Sequence, residues 1–288
     1  MKKVLVTGGL GFVGRYFIER LINDKWDVAM VDVKDGIDCR DFFKQSDTQF
    51  DLVIHLAAIV GGRETIEGRP LAVADNFSID SEFFQWCLKT EPKKIVYFSS
   101  SAAYPIEFQM EGLERKLRED MQTIYSPRKP DMTYGWSKLV GEYLASFVKN
   151  VYIFRPFSGY GSDQDLAYPF PKYIEKALAS GDTFEVWGSG KQTRDFIHIE
   201  DIVNAVFVAI EDEPQGPINL GWGRKTSFLD LAQMCMDTVG VQKEIVTRPD
   251  KPVGCMHRVS DNTKMLSFYT PKISLEEGIE RAVREYFL

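Results

Sequence analysis

An apolar run that breaks into regularly spaced glycines constrains this chain more than any other stretch. Val4, Leu5 and Val6 lead into Thr7-Gly8-Gly9-Leu10-Gly11-Phe12-Val13-Gly14. An unbroken apolar run suits a parallel strand covered on both faces, so residues 1–7 are expected to form one. Gly8, Gly11 and Gly14 should then open a helix running to about Asn23. Without side chains there, the backbone of the Gly8–Gly14 turn, Phe12 and Val13 included, can approach a pyrophosphate closely. The free N–H groups of the helix start add hydrogen bonds and a favourable dipole.

A second strand is expected over residues 26–33, with Asp32 at its end. A carboxylate there would accept hydrogen bonds from ribose hydroxyls and repel an additional phosphate, which favours NAD over NADP; Lys34 nearby pulls the other way.

The chain has 288 residues, enough to bury a large core in one compact unit or two joined lobes. Its net charge of −7 gives no general attraction to nucleic acid or anionic membrane, so neither is an expected partner and anionic ligands would need local arginines. No apolar run reaches the about 18 to 20 residues of a membrane span, and no signal-peptide core follows Met1-Lys2-Lys3, so a cytoplasmic protein is expected. Cys39, Cys87, Cys235 and Cys255 are scattered, without pairing or a histidine cluster, which suggests reduced structural thiols and no metal.

No repeat or low-complexity linker divides the chain. After Asp38-Cys39-Arg40-Asp41, residues 50–56 should form a third buried strand, from whose end His55-Leu56-Ala57-Ala58-Ile59-Val60-Gly61-Gly62 leads away. Ligands of a doubly wound sheet lie at such ends, so Ala57 and Ala58 are small enough for a cofactor to pass, while His55 suits packing better than proton transfer. A helix over 78–89 and a fourth strand over 94–98 should bring Ser99, Ser100 and Ser101 to the cleft. Residues 107–130 read as a charged surface excursion or a lid, with a solvated helix over 111–120. A helix over 131–149 and a fifth strand over 151–155 follow, and the aromatic, proline-rich stretch 160–171 begins a second lobe.

Tyr134 and Lys138, four residues apart, share one helical face. A tyrosine near its ordinary pKa of about 10 is a poor base, but a neighbouring ammonium and a nicotinamide cation would favour the phenolate. Ionised, it can take a hydroxyl proton, with Ser100 bonding the same oxygen. That set implies hydride transfer at a carbinol.

These residues resemble the extended short-chain dehydrogenase/reductase family, and within it the NAD-dependent epimerase/dehydratase enzymes of nucleotide sugars. The resemblance extends over Phe154-Arg155-Pro156-Phe157, the block Gly188 to Asp201 with Arg194-Asp195-Phe196-Ile197-His198, and Ile218-Asn219-Leu220-Gly221. It implies Ser100, Tyr134 and Lys138 as catalytic residues. Around NAD it implies Gly8, Gly11, Phe12, Val13, Gly14, Asp32, Asp38, Cys39, Leu56, Ala57, Ala58, Tyr134 and Lys138. For the nucleotide-diphosphate sugar it implies Ser100, Ser101, Ser158, Arg194 and Arg258. Arginine forks suit phosphate oxygens, whereas Ser158 stands where the family has asparagine. His198 follows a strand alternation and reads as structural.

Two further departures bear on the reaction. Family 4,6-dehydratases carry an Asp-Glu pair where this chain has Ser101 and Ala102, and the GDP-fucose synthases and GDP-mannose 3,5-epimerases carry a cysteine in place of Ala102. What remains is oxidation of the sugar C4 hydroxyl, by a 4-epimerase that returns the hydride or a 4-dehydrogenase that does not. A non-catalytic NAD-sensing protein is the reading from another class, and it would need none of the catalytic residues. The expected fold is α/β, a doubly wound parallel sheet (Rossmann) over 1–158 plus 196–220 with a smaller α/β substrate-binding lobe over 159–195 plus 221–288. The family resemblance implies a homodimer formed through the helices over 78–89 and 134–149.

Overall fold

The computed structural model describes residues 1–287. In chain order the first half contains β1 (Lys3–Thr7), α1 (Phe12–Asn23), β2 (Asp27–Val31), α2 (Cys39–Gln45), β3 (Leu52–His55), α3 (Arg63–Gly68), α4 (Pro70–Thr90), β4 (Lys94–Phe98), α5 (Met132–Ala145) and β5 (Val151–Pro156). After these come β6 (Ser158–Tyr160), α6 (Pro169–Leu178), β7 (Thr183–Trp187), β8 (Thr193–Arg194), β9 (Phe196–His198), α7 (Ile199–Asp212) and β10 (Ile218–Leu220). The last stretch holds β11 (Thr226–Ser227), α8 (Phe228–Val239), β12 (Glu244–Arg248), β13 (His257–Arg258), α9 (Thr263–Leu266) and α10 (Leu275–Ala282).

Six strands pair in the order β2-β1-β3-β4-β5-β10, every pairing parallel. Helices cover both faces, which is why these strands are apolar throughout rather than alternating. Val4 and Val6 point towards α1 and α7, packing with Phe17, Leu21, Ile202 and Val206. Leu5, one residue between them, points the other way into a core with Phe43, Phe83, Trp86 and Ala145 from α2, α4 and α5. The chain reverses direction across the sheet between β1 and β3, and ligands of such sheets bind outside the strand ends at that switch.

A second core gathers Tyr160, Phe170, Ile174, Phe184, Phe196, Leu231, Cys235 and Ile279 around α6, α8 and α10. Met265 and Tyr269, although late in the chain, belong to the first core. The Tyr269 hydroxyl donates to Asp201 Oδ1 at 2.6 Å, and the N–H groups of Lys272 and Ile273 donate to the same carboxylate. The C-terminal stretch is thereby fastened to α7.

Four sequence expectations need correction. Residues 111–120 are not a helix: Leu117 is buried, pairs with Ser260 and receives a backbone bond from Asp261, and only Glu119–Met121 make a 3-10 turn. The excursion around it is not mere surface, because Gln109 and Gln122 are also buried and bind backbone carbonyls of residues 103–105. The helix expected over 78–89 starts at Pro70, whose fixed φ and missing N–H suit a first turn. The helix expected over 131–149 spans Met132–Ala145, and Asn150 then takes a left-handed φ of 60° that asparagine tolerates better than most residues.

All four cysteines are free and buried, and burial pushes the Cys39 thiol up to about 12. Among the described residues no cluster suited to a metal ion occurs, and no helix is long and apolar enough to cross a membrane.

Candidate active site

The glycine turn and the end of β3 meet closely. Gly8 has φ +71°, and a Cβ there would stand 2.8 Å from the Ala57 N–H nitrogen, so only glycine fits against Leu56 and Ala57. A side chain at Gly14 would overlap the Gly8 carbonyl. Gly11 begins α1 with no side-chain cap, which leaves N–H groups of the first turn for a ligand. This cradle of unobstructed backbone fits a dinucleotide pyrophosphate.

Asp32 closes one side of the turn. Its Oδ2 accepts from the Leu10 N–H at 2.9 Å and its Oδ1 from the Lys34 N–H at 2.8 Å, each oxygen keeping capacity for one more donor. Asp38 caps α2 and is forked by the Arg40 guanidinium, at 2.6 Å for the shortest contact, which holds its carboxyl below the usual range. Cys39 turns into the core beside Phe43. Ala58 continues the loop that leaves β3, and the Asn76 side chain staples that loop by binding both the N–H and the carbonyl of Ile59. His55 is a core residue, stacked on Phe83 at 3.9 Å.

The Ser100 hydroxyl, just beyond β4, accepts from the Ala102 N–H at 3.0 Å and lies near enough to Tyr134 to lower its pKa. Lys138 follows one turn later on α5, 4 % exposed, with its Nζ 5.3 Å from the Tyr97 ring centre. Ser101 and Ala102 are buried in the 3-10 turn that packs on α5. Gly135 permits that approach, because a Cβ there would overlap the Ala102 carbonyl.

The charge state of Tyr134 differs from the sequence expectation. Burial raises its pKa, the nearby Tyr168 and Asp80 raise it further, and the Ser100 hydroxyl and Arg258 only partly offset this. Burial in turn depresses Lys138, with Asp80 opposing. With these groups alone, desolvation outweighs the neighbouring cations and the phenol keeps its proton.

Arg194 and Arg258 come together as register partners in the β8–β13 pairing. Arg258 donates to Asp131 Oδ2 at 2.7 Å and to Gln109 Oε1 at 2.6 Å. Arg194 donates to the carbonyls of Thr193 and Cys255, and its guanidinium lies 5.5 Å from the Phe228 ring centre. Ser158 begins β6 with its N–H bound to the Asp195 carbonyl. Asp195 accepts from the N–H and hydroxyl of Ser260 and from the Gly223 N–H, yet burial still lifts it to about 6. His198 caps α7 through its ring, and burial lowers it to about 4.

Sequence reading did not single out Tyr168, Asp80, Asn76 or Asp131. Tyr168 lies in the noted aromatic, proline-rich stretch, just before α6. Nothing local distinguished the other three.

A glycine turn at the switch point of a parallel sheet, with serine, tyrosine and lysine gathered at the neighbouring strand ends, defines a short-chain dehydrogenase/reductase, a class that works with a nicotinamide dinucleotide. The model of the NAD dependent epimerase/dehydratase family matches residues 4–221, and the chain belongs to that family. It is similar to the dTDP-4-dehydro-6-deoxy-D-allose reductase of Streptomyces bikiniensis, 29% identical over 98% of this chain and 95% of that one. The putative UDP-glucose 4-epimerase of Methanocaldococcus jannaschii is also 29% identical, over 97% of each chain. In fold it matches the Thermus thermophilus UDP-glucose 4-epimerase solved with NAD, with TM-score 0.83 and 20% identity over 99% of each chain. The protein is therefore an NAD-dependent enzyme of the group that includes nucleotide-sugar epimerases, dehydratases and reductases.

Proposed function

We propose that the protein oxidises the C4 hydroxyl of a nucleotide-diphosphate sugar and returns the hydride to the opposite face, acting as a 4-epimerase. One observation carries this reading: Ser100, Tyr134 and Lys138 gather beside Ser101 and Ala102, and neither of those two positions supplies an acid or base for elimination or for exchange at C3 and C5. NAD, when bound, supplies a hydride acceptor that can also give the hydride back.

Tyr134 takes the C4 hydroxyl proton as the carbinol is oxidised, and restores it when the ketone is reduced. Ser100 bonds the same sugar oxygen and fixes its distance from the phenol. Lys138 lowers the cost of the phenolate, and a cationic nicotinamide adds the charge that these side chains alone lack. Gly8, Gly11, Phe12, Val13 and Gly14 would hold the pyrophosphate, Asp32 the ribose, Asp38 and Cys39 the adenine, and Leu56, Ala57 and Ala58 the passage beside them. Arg194 and Arg258, with Ser101 and Ser158, would hold the substrate phosphates and sugar.

A second reading, reduction of a 4-keto sugar, is favoured by the likeness to the allose reductase. Turnover of a nucleotide sugar with no added and no accumulating reduced dinucleotide supports the epimerase. Product that forms only in step with consumption or release of reduced dinucleotide rejects it.

We read the two lobes as residues 1–158 plus 196–220 and 159–195 plus 221–288, with the substrate between them. The exposed Leu88 on α4, Tyr143 on α5 and Phe147 just beyond it support a homodimer through those helices. Light scattering that gives the mass of one chain would reject it.

A further inference from the structure

Asp80 lies inside α4 at 1 % exposure, and none of the roles above falls to it. Its Oδ2 accepts from the Tyr97 hydroxyl at 2.6 Å, and its Oδ1 is 3.3 Å from His55 Nε2. The other ring nitrogen, Nδ1, is 2.8 Å from Thr7 Oγ1, which also accepts from the Ala57 N–H at 3.2 Å. One polar chain thus joins the ends of β1, β3 and β4 to α4, directly beneath the glycine turn.

The same cluster touches α5. A Cβ at Gly141 would overlap the Tyr97 hydroxyl and stand 2.6 Å from Asp80 Oδ2, so glycine is what lets helix, tyrosine and carboxylate nest together. Tyr97 therefore has Asp80 at its hydroxyl and the Lys138 ammonium near its ring. A buried carboxylate and a buried ammonium are each costly alone and much less so near one another. His55 does not take that role, because burial and the Lys138 charge both favour its neutral form.

We propose that Asp80 is a positioning residue for Lys138: its carboxylate, fixed by Tyr97 and His55, balances the buried ammonium and sets the pH range in which Tyr134 and Lys138 work. The proposal rests on the catalytic roles given above to that pair. Among the described residues the ionisable groups facing Lys138 are Asp80, Tyr97 and His55, and Asp80 supplies the carboxylate. Its field raises the pKa of both Lys138 and Tyr134. Removing it should make both groups more acidic and carry both limbs of the pH profile the same way.

The test is the pH dependence of kcat in Asp80→Asn, which keeps an acceptor for Tyr97. Both limbs should move to lower pH by about one unit, the scale of a nearby buried charge. Asp80→Glu should return them towards the wild-type positions, and Tyr97→Phe, which keeps the charge, should lower kcat without moving them. Limbs that stay in place in Asp80→Asn, while Tyr134→Phe is inactive, overturn the role of Asp80. A fully active Tyr134→Phe instead overturns the reading beneath it. Should Asp80→Asn fail to fold, melting temperatures decide: Lys138→Met strands the Asp80 charge, so the double variant with Asp80→Asn should melt above Lys138→Met. A double variant that melts at or below Lys138→Met contradicts the pairing.

Discussion

Arg258 and Asp131 form a 2.7 Å ion pair that ties β13 to the residue capping the helix of Tyr134 and Lys138. The arginine proposed to hold the substrate diphosphate is thus already held by a buried carboxylate, and phosphate must compete with it. Asp131→Asn is expected to tighten binding of a nucleoside diphosphate several-fold by calorimetry, whereas Arg258→Met should weaken it. Weaker binding in both would show that Asp131 helps to present Arg258 rather than compete for it.

Replacing Tyr134 by Phe removes the proton acceptor and leaves the ring. A loss of about 100- to 10,000-fold in kcat is expected, the range for a positioned general base, with KM for the nucleotide sugar little changed. Ser100→Ala should lose less, since it removes one hydrogen bond to the same oxygen. A Tyr134→Phe enzyme within tenfold of wild type would remove the phenol from the chemistry.

Tyr168 raises the pKa of Tyr134, and its own hydroxyl is pushed up by burial, so it stays protonated and keeps a hydrogen to donate at neutral pH. Tyr168→Phe should raise KM or lower kcat by about tenfold, the cost of one hydrogen bond to substrate. Unchanged kinetics would leave Tyr168 as packing.

Glu142 and Arg155 are joined by two prongs, 2.8 Å and 2.7 Å, at 2 % and 1 % side-chain exposure. The pair also receives the Ser99 hydroxyl and binds the carbonyls of Glu119 and Gln122, so it links the Ser100 turn, α5 and the 107–130 excursion. Glu142→Gln should destabilise the fold by about 3–5 kcal/mol, as for other buried pairs broken on one side. A denaturation midpoint equal to wild type would contradict this.

Asp195 and His198 should oppose each other in acid. Asp195, lifted from 3.8 to about 6, binds a proton in the fold before it does in the unfolded chain, so its contribution to stability declines as pH rises from about 4 to 6. His198, lowered from 6.5 to about 4, does the reverse, and its contribution declines as pH falls through the same range. His198→Asn should therefore unmask a stability that increases on acidification, by up to about 3 kcal/mol at 1.36 kcal/mol per unit of pKa difference. A stability that decreases on acidification in that variant would show Asp195 to be an ordinary carboxylate.

Local patterns carried the sheet. Val4-Leu5-Val6 and residues 94–98 announced buried strands, and Gly8, Gly11 and Gly14 announced the turn, because each signal sits within a few consecutive residues. The Tyr134–Lys138 spacing was equally local. The helix wrongly expected over 111–120 shows the limit: its charges are patterned for a helix, but Leu117 gains more by burial against Ser260, more than a hundred residues away, and that cannot be read from the segment itself. Asp80 is a related case, since its partners Tyr97, His55 and Lys138 are assembled only by folding. The raised pKa of Tyr134 was missed because sequence shows the adjacent lysine and not the depth of burial.

The central claim is that the reaction passes through C4 alone. Incubating the enzyme with a panel of GDP-, UDP- and dTDP-sugars in deuterated buffer, with proton NMR and mass spectrometry, tests it most directly. A C4 epimer carrying no solvent deuterium is the expected product. Deuterium at C3 or C5, or loss of water, would contradict the claim and require an acid–base residue other than Ser100, Tyr134 and Lys138.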